Sequence, residues 1–109
     1  MKFIKKNFLI RCKDKETDRE YIKIVSGYTD ENGLLGYDKR FYNIWTVTDL
    51  ASGVFIISRK TRKLCVEDFY SYLNDAISAY RNTPHYAELV NTFNELKEKE
   101  NVWENESES

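Results

Sequence analysis

The stretch "VFIISRKTRKLCVEDFYSYL", residues 54–73, changes its hydrophobic period part-way along, and that change decides the fold. "VFIIS" is short, apolar and rich in β-branched residues, as a strand requires. From Thr61 the spacing becomes helical. Cys65, Phe69, Leu73 or Tyr72, Ala76 and Tyr80 fall on one stripe, while Glu67, Asp68, Asn74 and Asp75 fall largely away from it. A sheet therefore gives way to helices near residue 60.

Upstream, "RFYNIWTVTD", residues 40–49, sets Phe41, Trp45 and Val47 on one face and Tyr42, Ile44, Thr46 and Thr48 on the other. "DLASG" joins it to "VFIIS" as a hairpin. "NFLIRCK", residues 7–13, alternates in the same way, and "EYIKIVSGY" returns after the polar "DKETDR" to make an earlier hairpin. Between the hairpins, "YTDENGLLGYDKR" holds Asn32-Gly33 and Gly36, where positive φ is cheap. It reads as a turn or an irregular exposed loop carrying Leu34 and Leu35. Downstream, Thr83 is a good N-cap and Pro84 fits the first helical position, opening a second helix with Tyr86, Leu89 or Val90, Phe93 and Leu96 on its buried side.

The expected architecture is one α+β domain over residues 1–100, with a four-stranded antiparallel sheet of two hairpins followed by two helices packed on one face. Residues 101–109 read as an acidic disordered tail. Which sheet face stays open is not set by the pattern, and the positions of Tyr21, Tyr28, Tyr37 and Tyr42 depend on it.

A chain of 109 residues has room for one core, and 41% hydrophobic content with 15% aromatics is enough to fold it. No apolar run approaches the roughly 18–20 residues that cross a bilayer, and Arg11 interrupts the first apolar stretch where a signal peptide would continue, so a cytoplasmic location is expected. The net charge of −1 hides an uneven layout. Residues 1–63 carry 14 Lys and Arg against 8 Asp and Glu, whereas residues 64–109 carry 3 against 10. Opposite charge on the two halves either pairs internally or presents two electrostatic faces to partners.

Chemistry-bearing patterns are sparse. Cys12 and Cys65 lack CxxC spacing, His85 is the sole histidine, and no HExxH or GxxxxGKS run occurs. No catalytic residue, metal or cofactor is expected. The basic run Ser58, Arg59, Lys60, Thr61, Arg62 and Lys63 meets a helix start, where unpaired N–H groups and cations together suit an anion. Its plainer reading is a capped helix whose cations stay solvated or pair with Glu67 and Asp68. The expected partner- or phosphate-binding set is Arg59, Lys60, Arg62, Lys63, Leu34, Leu35, Tyr37, Arg40 and Tyr42.

The segment "WTVTDLASGVFIISRKTRKLCVEDF", residues 45–69, resembles a pattern in small phage and mobile-element proteins, through Trp45, Val47, Thr48, Ser52, Gly53, Thr61 and Lys63. The resemblance implies an accessory protein of the kind that includes anti-CRISPR inhibitors. The expected function is therefore non-enzymatic macromolecule binding, with a protein partner, as an inhibitor that occludes a host defence nuclease such as a CRISPR effector. The alternative is a nucleic-acid-binding accessory or regulatory protein using Arg59, Lys60, Arg62 and Lys63, and neither reading involves a membrane.

Overall fold

Asn32-Gly33 does make a turn, but a strand follows it at once. The structure, a computed structural model that describes residues 2–101, has β1 (Phe3–Lys13), β2 (Glu20–Asp30), β3 (Leu35–Lys39), β4 (Trp45–Asp49) and β5 (Val54–Arg59). They form one antiparallel sheet in the order β1-β2-β3-β4-β5, so the sheet has five strands rather than four. The added strand, β3, comes from the segment read as a loop. Gly36 looks like a turn residue but is a packing residue: a Cβ there would lie 2.7 Å from the Phe8 ring and 2.9 Å from Leu50. Gly33 is the real turn glycine, at φ 69°, with its N–H donating to the Asp30 carbonyl. The Asp30 carboxylate completes the turn by accepting from the Leu34 and Leu35 amides.

Two other boundaries move. β1 begins at Phe3 and pairs with β2 along its whole length, from Phe3 opposite Asp30 to Lys13 opposite Glu20. β4 begins only at Trp45, because residues Phe41–Asn43 form a 3₁₀ turn instead of a strand. The acidic tail expected over 101–109 lies, Asn101 apart, outside the described residues.

Helix α1 (Arg62–Asp68) starts where Thr61 accepts the Leu64 N–H through its side chain at 3.1 Å. A π turn (Phe69–Leu73) joins it to α2 (Asn74–Tyr80). That wider turn shifts the helical phase. Ile77 consequently packs on the core, and Ala76, expected there, is exposed. Helix α3 (Pro84–Lys99) begins at the expected Thr83 cap and Pro84, and its Phe93 is fully buried.

The main core joins Leu35, Tyr37, Val47 and Ile57 of the sheet to Cys65 and Phe69 of the helical layer. On the opposite sheet face Phe8 lies across Gly27 and Gly36, so that face is partly buried by the sheet's own curl. The curl is closed at one end by Arg11. Its N–H donates to the Gly53 carbonyl at 3.1 Å, and its guanidinium donates to the Leu89 carbonyl and to Thr92 Oγ1, both at 2.9 Å.

Asp49 binds the second hairpin to the helices. Its carboxylate accepts from Ser52 Oγ at 2.6 Å, from Tyr86 Oη at 2.8 Å and from Arg81 Nη2 at 2.9 Å, while the residue is 5% exposed. Asp49→Ala leaves Arg81, half-buried, without its counter-charge, and is expected to lower unfolding free energy by about 3 kcal/mol in a denaturant titration. Burial, and then the Asp49 carboxylate, push the Tyr86 phenol from its ordinary value near 10 up to about 12. The folded chain thus holds that proton more tightly than the unfolded one. The contribution is complete below pH 10 and disappears as pH rises to about 12. In Tyr86→Phe the fall in stability across that window is expected to be shallower, as measured by denaturant midpoints at successive pH values.

Candidate interaction surface

The 3₁₀ turn between β3 and β4 carries the two most exposed large hydrophobic side chains among the described residues, Phe41 and Tyr42. Arg40 and Ile44 face each other across it, the Arg40 N–H donating to the Ile44 carbonyl at 2.8 Å, and the Asn43 N–H donates back to the Arg40 carbonyl. To close in so few residues the backbone takes the left-handed region twice in succession, at Tyr42 (φ 58°) and Asn43 (φ 59°). Asn tolerates this region; for Tyr it costs roughly 1 kcal/mol or more. The result is that Phe41 and Tyr42 stand 83% and 95% exposed. Ile44 and Phe55 continue the apolar surface, and Arg40, Thr46 and Ser58 join them around a shallow groove of about 310 Å³.

Arg40 fixes the root of this turn. Its Nε donates to Asp38 at 2.8 Å and its Nη2 to Thr48 Oγ1 at 3.0 Å. On the other side of Arg40 and Phe41 lies a larger cleft, of about 670 Å³, where β2 and β3 part.

The expected site residues divide. Arg40 and Tyr42 belong to this turn, and Leu34 is half-exposed on the preceding one. Leu35 and Tyr37, expected as contact residues, are instead core: they are 2% and 0% exposed, because β3 turns them toward the helices. Burial also pushes the pKa of the Tyr37 phenol well above its ordinary value near 10, and its hydroxyl has no hydrogen-bond partner among the described residues. Phe41, expected to share a face with Trp45 and Val47, does not: Val47 is buried while Phe41 is outside. The signal available for it was its place beside Tyr42 in a run with no flanking glycine, which the strand pattern masked.

The basic cluster is largely engaged within the chain. Arg59 donates to Asp68 at 2.6 Å, and Lys63 pairs with Glu67 one helical turn on. Arg62 lies over the rings of Phe3, Tyr28 and Trp45, at 4.2, 4.7 and 5.6 Å from their centroids, as a cation enclosed by aromatic faces. Lys60 is exposed. Arg59 and Arg62 join the helix to the sheet, whereas Lys60 and the Lys63–Glu67 pair lie on the solvent side.

Cys65 is fully buried, its Sγ 3.5 Å from the Trp45 carbonyl, and burial pushes its thiol up. It is a core residue on the stripe with Phe69, and His85 packs against Tyr80 on another helix. Among the described residues no His, Cys, Asp and Glu group could hold a metal, and no helix is long and apolar enough to cross a membrane. The chain matches no family model, no curated protein and no solved structure.

Cys65 is expected to resist a thiol reagent in the native protein and to react only under denaturing conditions, whereas half-buried Cys12 reacts in both. Titration with and without denaturant, read by mass spectrometry of the labelled peptides, checks this.

Proposed function

We propose that the chain is a non-enzymatic binding protein that docks on another protein through Phe41, Tyr42, Ile44 and Phe55 and acts by occlusion. The observation that carries this reading is the strained turn that holds Phe41 and Tyr42 almost wholly in solvent. An exposed aromatic pair gains nothing for folding, yet large rigid rings are what interfaces use as desolvated anchors. Thr46 and Ser58, hydrogen-bonded to each other at 3.1 Å on the groove's floor, supply polar contacts beside the apolar ones.

The same reading extends to a partner that processes nucleic acid, such as a host defence nuclease. Two features support it. The segment over residues 45–69 resembles a pattern in small phage and mobile-element proteins, a group that includes inhibitors of such nucleases, and the helical layer exposes Glu67, Asp75, Glu88, Glu95 and Glu98, charge that a groove made for phosphate attracts. The nucleic-acid-binding alternative has less support, because Arg59, Arg62 and Lys63 are already engaged within the chain.

Phe41→Ser with Tyr42→Ser is expected to leave unfolding free energy within about 0.5 kcal/mol, since both side chains are in solvent. Partner affinity is expected to fall roughly a hundredfold or more, at about 2 kcal/mol for each anchor. The check is capture from host lysate by tagged wild-type and variant protein, with and without nuclease. A protein retained by wild type and lost by the variant carries the reading. Equal retention removes this surface from it, and recovery of nucleic acid alone, lost at high salt, favours the alternative.

A further inference from the structure

β2 is eleven residues long, but β3 pairs with it only at Tyr28 and Thr29. The two strands part just beyond Gly27, where β3 crosses so closely that a Cβ would collide with the Tyr37 carbonyl oxygen. From there to residue 21 no strand of the described residues covers the outer edge of β2. The direction of its main-chain groups follows from two fixed points. Ile22 sends its N–H outward, to the Glu100 carboxylate at 3.2 Å, and Tyr28 is the residue that pairs with β3. Since strand residues alternate, Ile24 and Ser26 also point their N–H and C=O outward.

These groups border the 670 Å³ cleft, which takes in residues from both faces of β2, Lys23 and Val25 on one and Ile24 and Ser26 on the other. The cleft therefore straddles the edge itself. Its far wall is Asp38, Lys39, Arg40 and Phe41. Asp38 is 2% exposed and one carboxylate oxygen, Oδ1, has no hydrogen-bond partner, the other being held by Arg40. A buried acceptor of this kind asks for a donor. Charge in the cleft is otherwise positive: Lys23 forms no ion pair with a carboxylate among the described residues, Lys39 reaches over the Trp45 ring on the other face, and Asp38 is offset by Arg40.

The geometry points to β-strand addition: an extended acidic segment of a partner protein pairs with the β2 edge at Ile24 and Ser26. Backbone groups of that segment satisfy the edge and offer an N–H to Asp38 Oδ1, and its carboxylates face Lys23. Glu100 already shows a carboxylate held on the next outward N–H of this edge. The inference rests on the docking reading above and deepens it, because Arg40 and Phe41 border both this cleft and the aromatic groove, making one continuous surface.

The test uses the full chain, labelled with ¹⁵N, and the peptide acetyl-(Val-Glu)₄-amide, with acetyl-(Val-Lys)₄-amide and a fully N-methylated (Val-Glu)₄ as controls. The acidic peptide is expected to shift the Ile24 and Ser26 amide resonances and slow their hydrogen exchange at least tenfold. N-methylation is expected to abolish this. The lysine peptide with wild type, or the acidic peptide with the exposed variant Lys23→Glu, is expected to bind at least tenfold more weakly. No binding at millimolar peptide, undiminished binding after N-methylation, or preference for the lysine peptide overturns the assignment. So do concentration-dependent shifts at Ile24 and Ser26 without peptide, which make a second copy the occupant. Failure here leaves the Phe41/Tyr42 reading standing, since that is measured by partner capture; loss of that reading with peptide binding intact separates the two the other way.

Discussion

The carboxylate of Asp49 sets how the second hairpin meets the helices, and the rest of the molecule depends on that meeting. Sitting at the end of β4, it gathers Ser52 from its own turn, Arg81 from the end of α2 and Tyr86 from the first turn of α3. An ion in this position is stable only because every oxygen is served, for an uncompensated buried charge costs several kcal/mol. Once the turn is held there, Gly53 lies directly under Phe93, where a Cβ would come within 2.5 Å of the ring. The Gly53 carbonyl then receives the Arg11 amide, and the sheet is closed at that end. The closure has a counterpart at the other side of β2. A curled sheet that draws β1 toward the β4–β5 turn leaves β3 only two pairs with β2, and the wedge between them is the cleft that Lys23, Asp38 and Arg40 line.

Much of this was legible from residue order alone. The period change at Thr61, the Thr83-Pro84 start of α3 and the alternation in β1, β2, β4 and β5 each express a local rule, and each stands in the structure. What was not legible depended on distant partners. Gly36 is a glycine because Phe8 and Leu50 fill the space above it, and nothing within β3 says so. Tyr37 lies beside glycine and charge, yet tertiary packing places it at the centre of the core. Ala76 and Ile77 exchange roles because of a π turn with no short-range signature. Of the candidate site, Arg40 and Tyr42 were visible as a cation and an aromatic close in sequence, though read as part of a strand. Phe41 was misassigned, because alternation holds only while the strand continues, and the left-handed residues Tyr42 and Asn43 end it.

Arg62 illustrates the same limit for charge. In sequence it is one of four cations at a helix start; in space it is sandwiched among Phe3, Tyr28 and Trp45, joining β1, β2 and β4 to α1. A guanidinium is weakly hydrated and planar, so aromatic enclosure costs it little and leaves its charge in place. Arg62 thus joins the sheet to the helical layer. Arg59, donating to Asp68, serves the same joint from β5.

These placements separate the groups able to do chemistry from the surface able to recognise. Cys65 is sunk beneath Trp45 and Phe69, Asp49 is fully hydrogen-bonded, and Arg62 and Arg59 are bound to their own chain. Between β2 and β5, solvent meets rings on a strained turn, an uncovered strand edge and Lys23 beside it. Rings give affinity through desolvation, main-chain edges give it without regard to side-chain identity, and lysines orient the encounter. In the docking proposed above, each of these would act on the shape and charge of a partner. The strain at Tyr42 fits the same division: a few residues held in an unfavourable conformation lower the stability of this domain slightly, while fixing before contact the geometry that a flexible loop would have to acquire on binding.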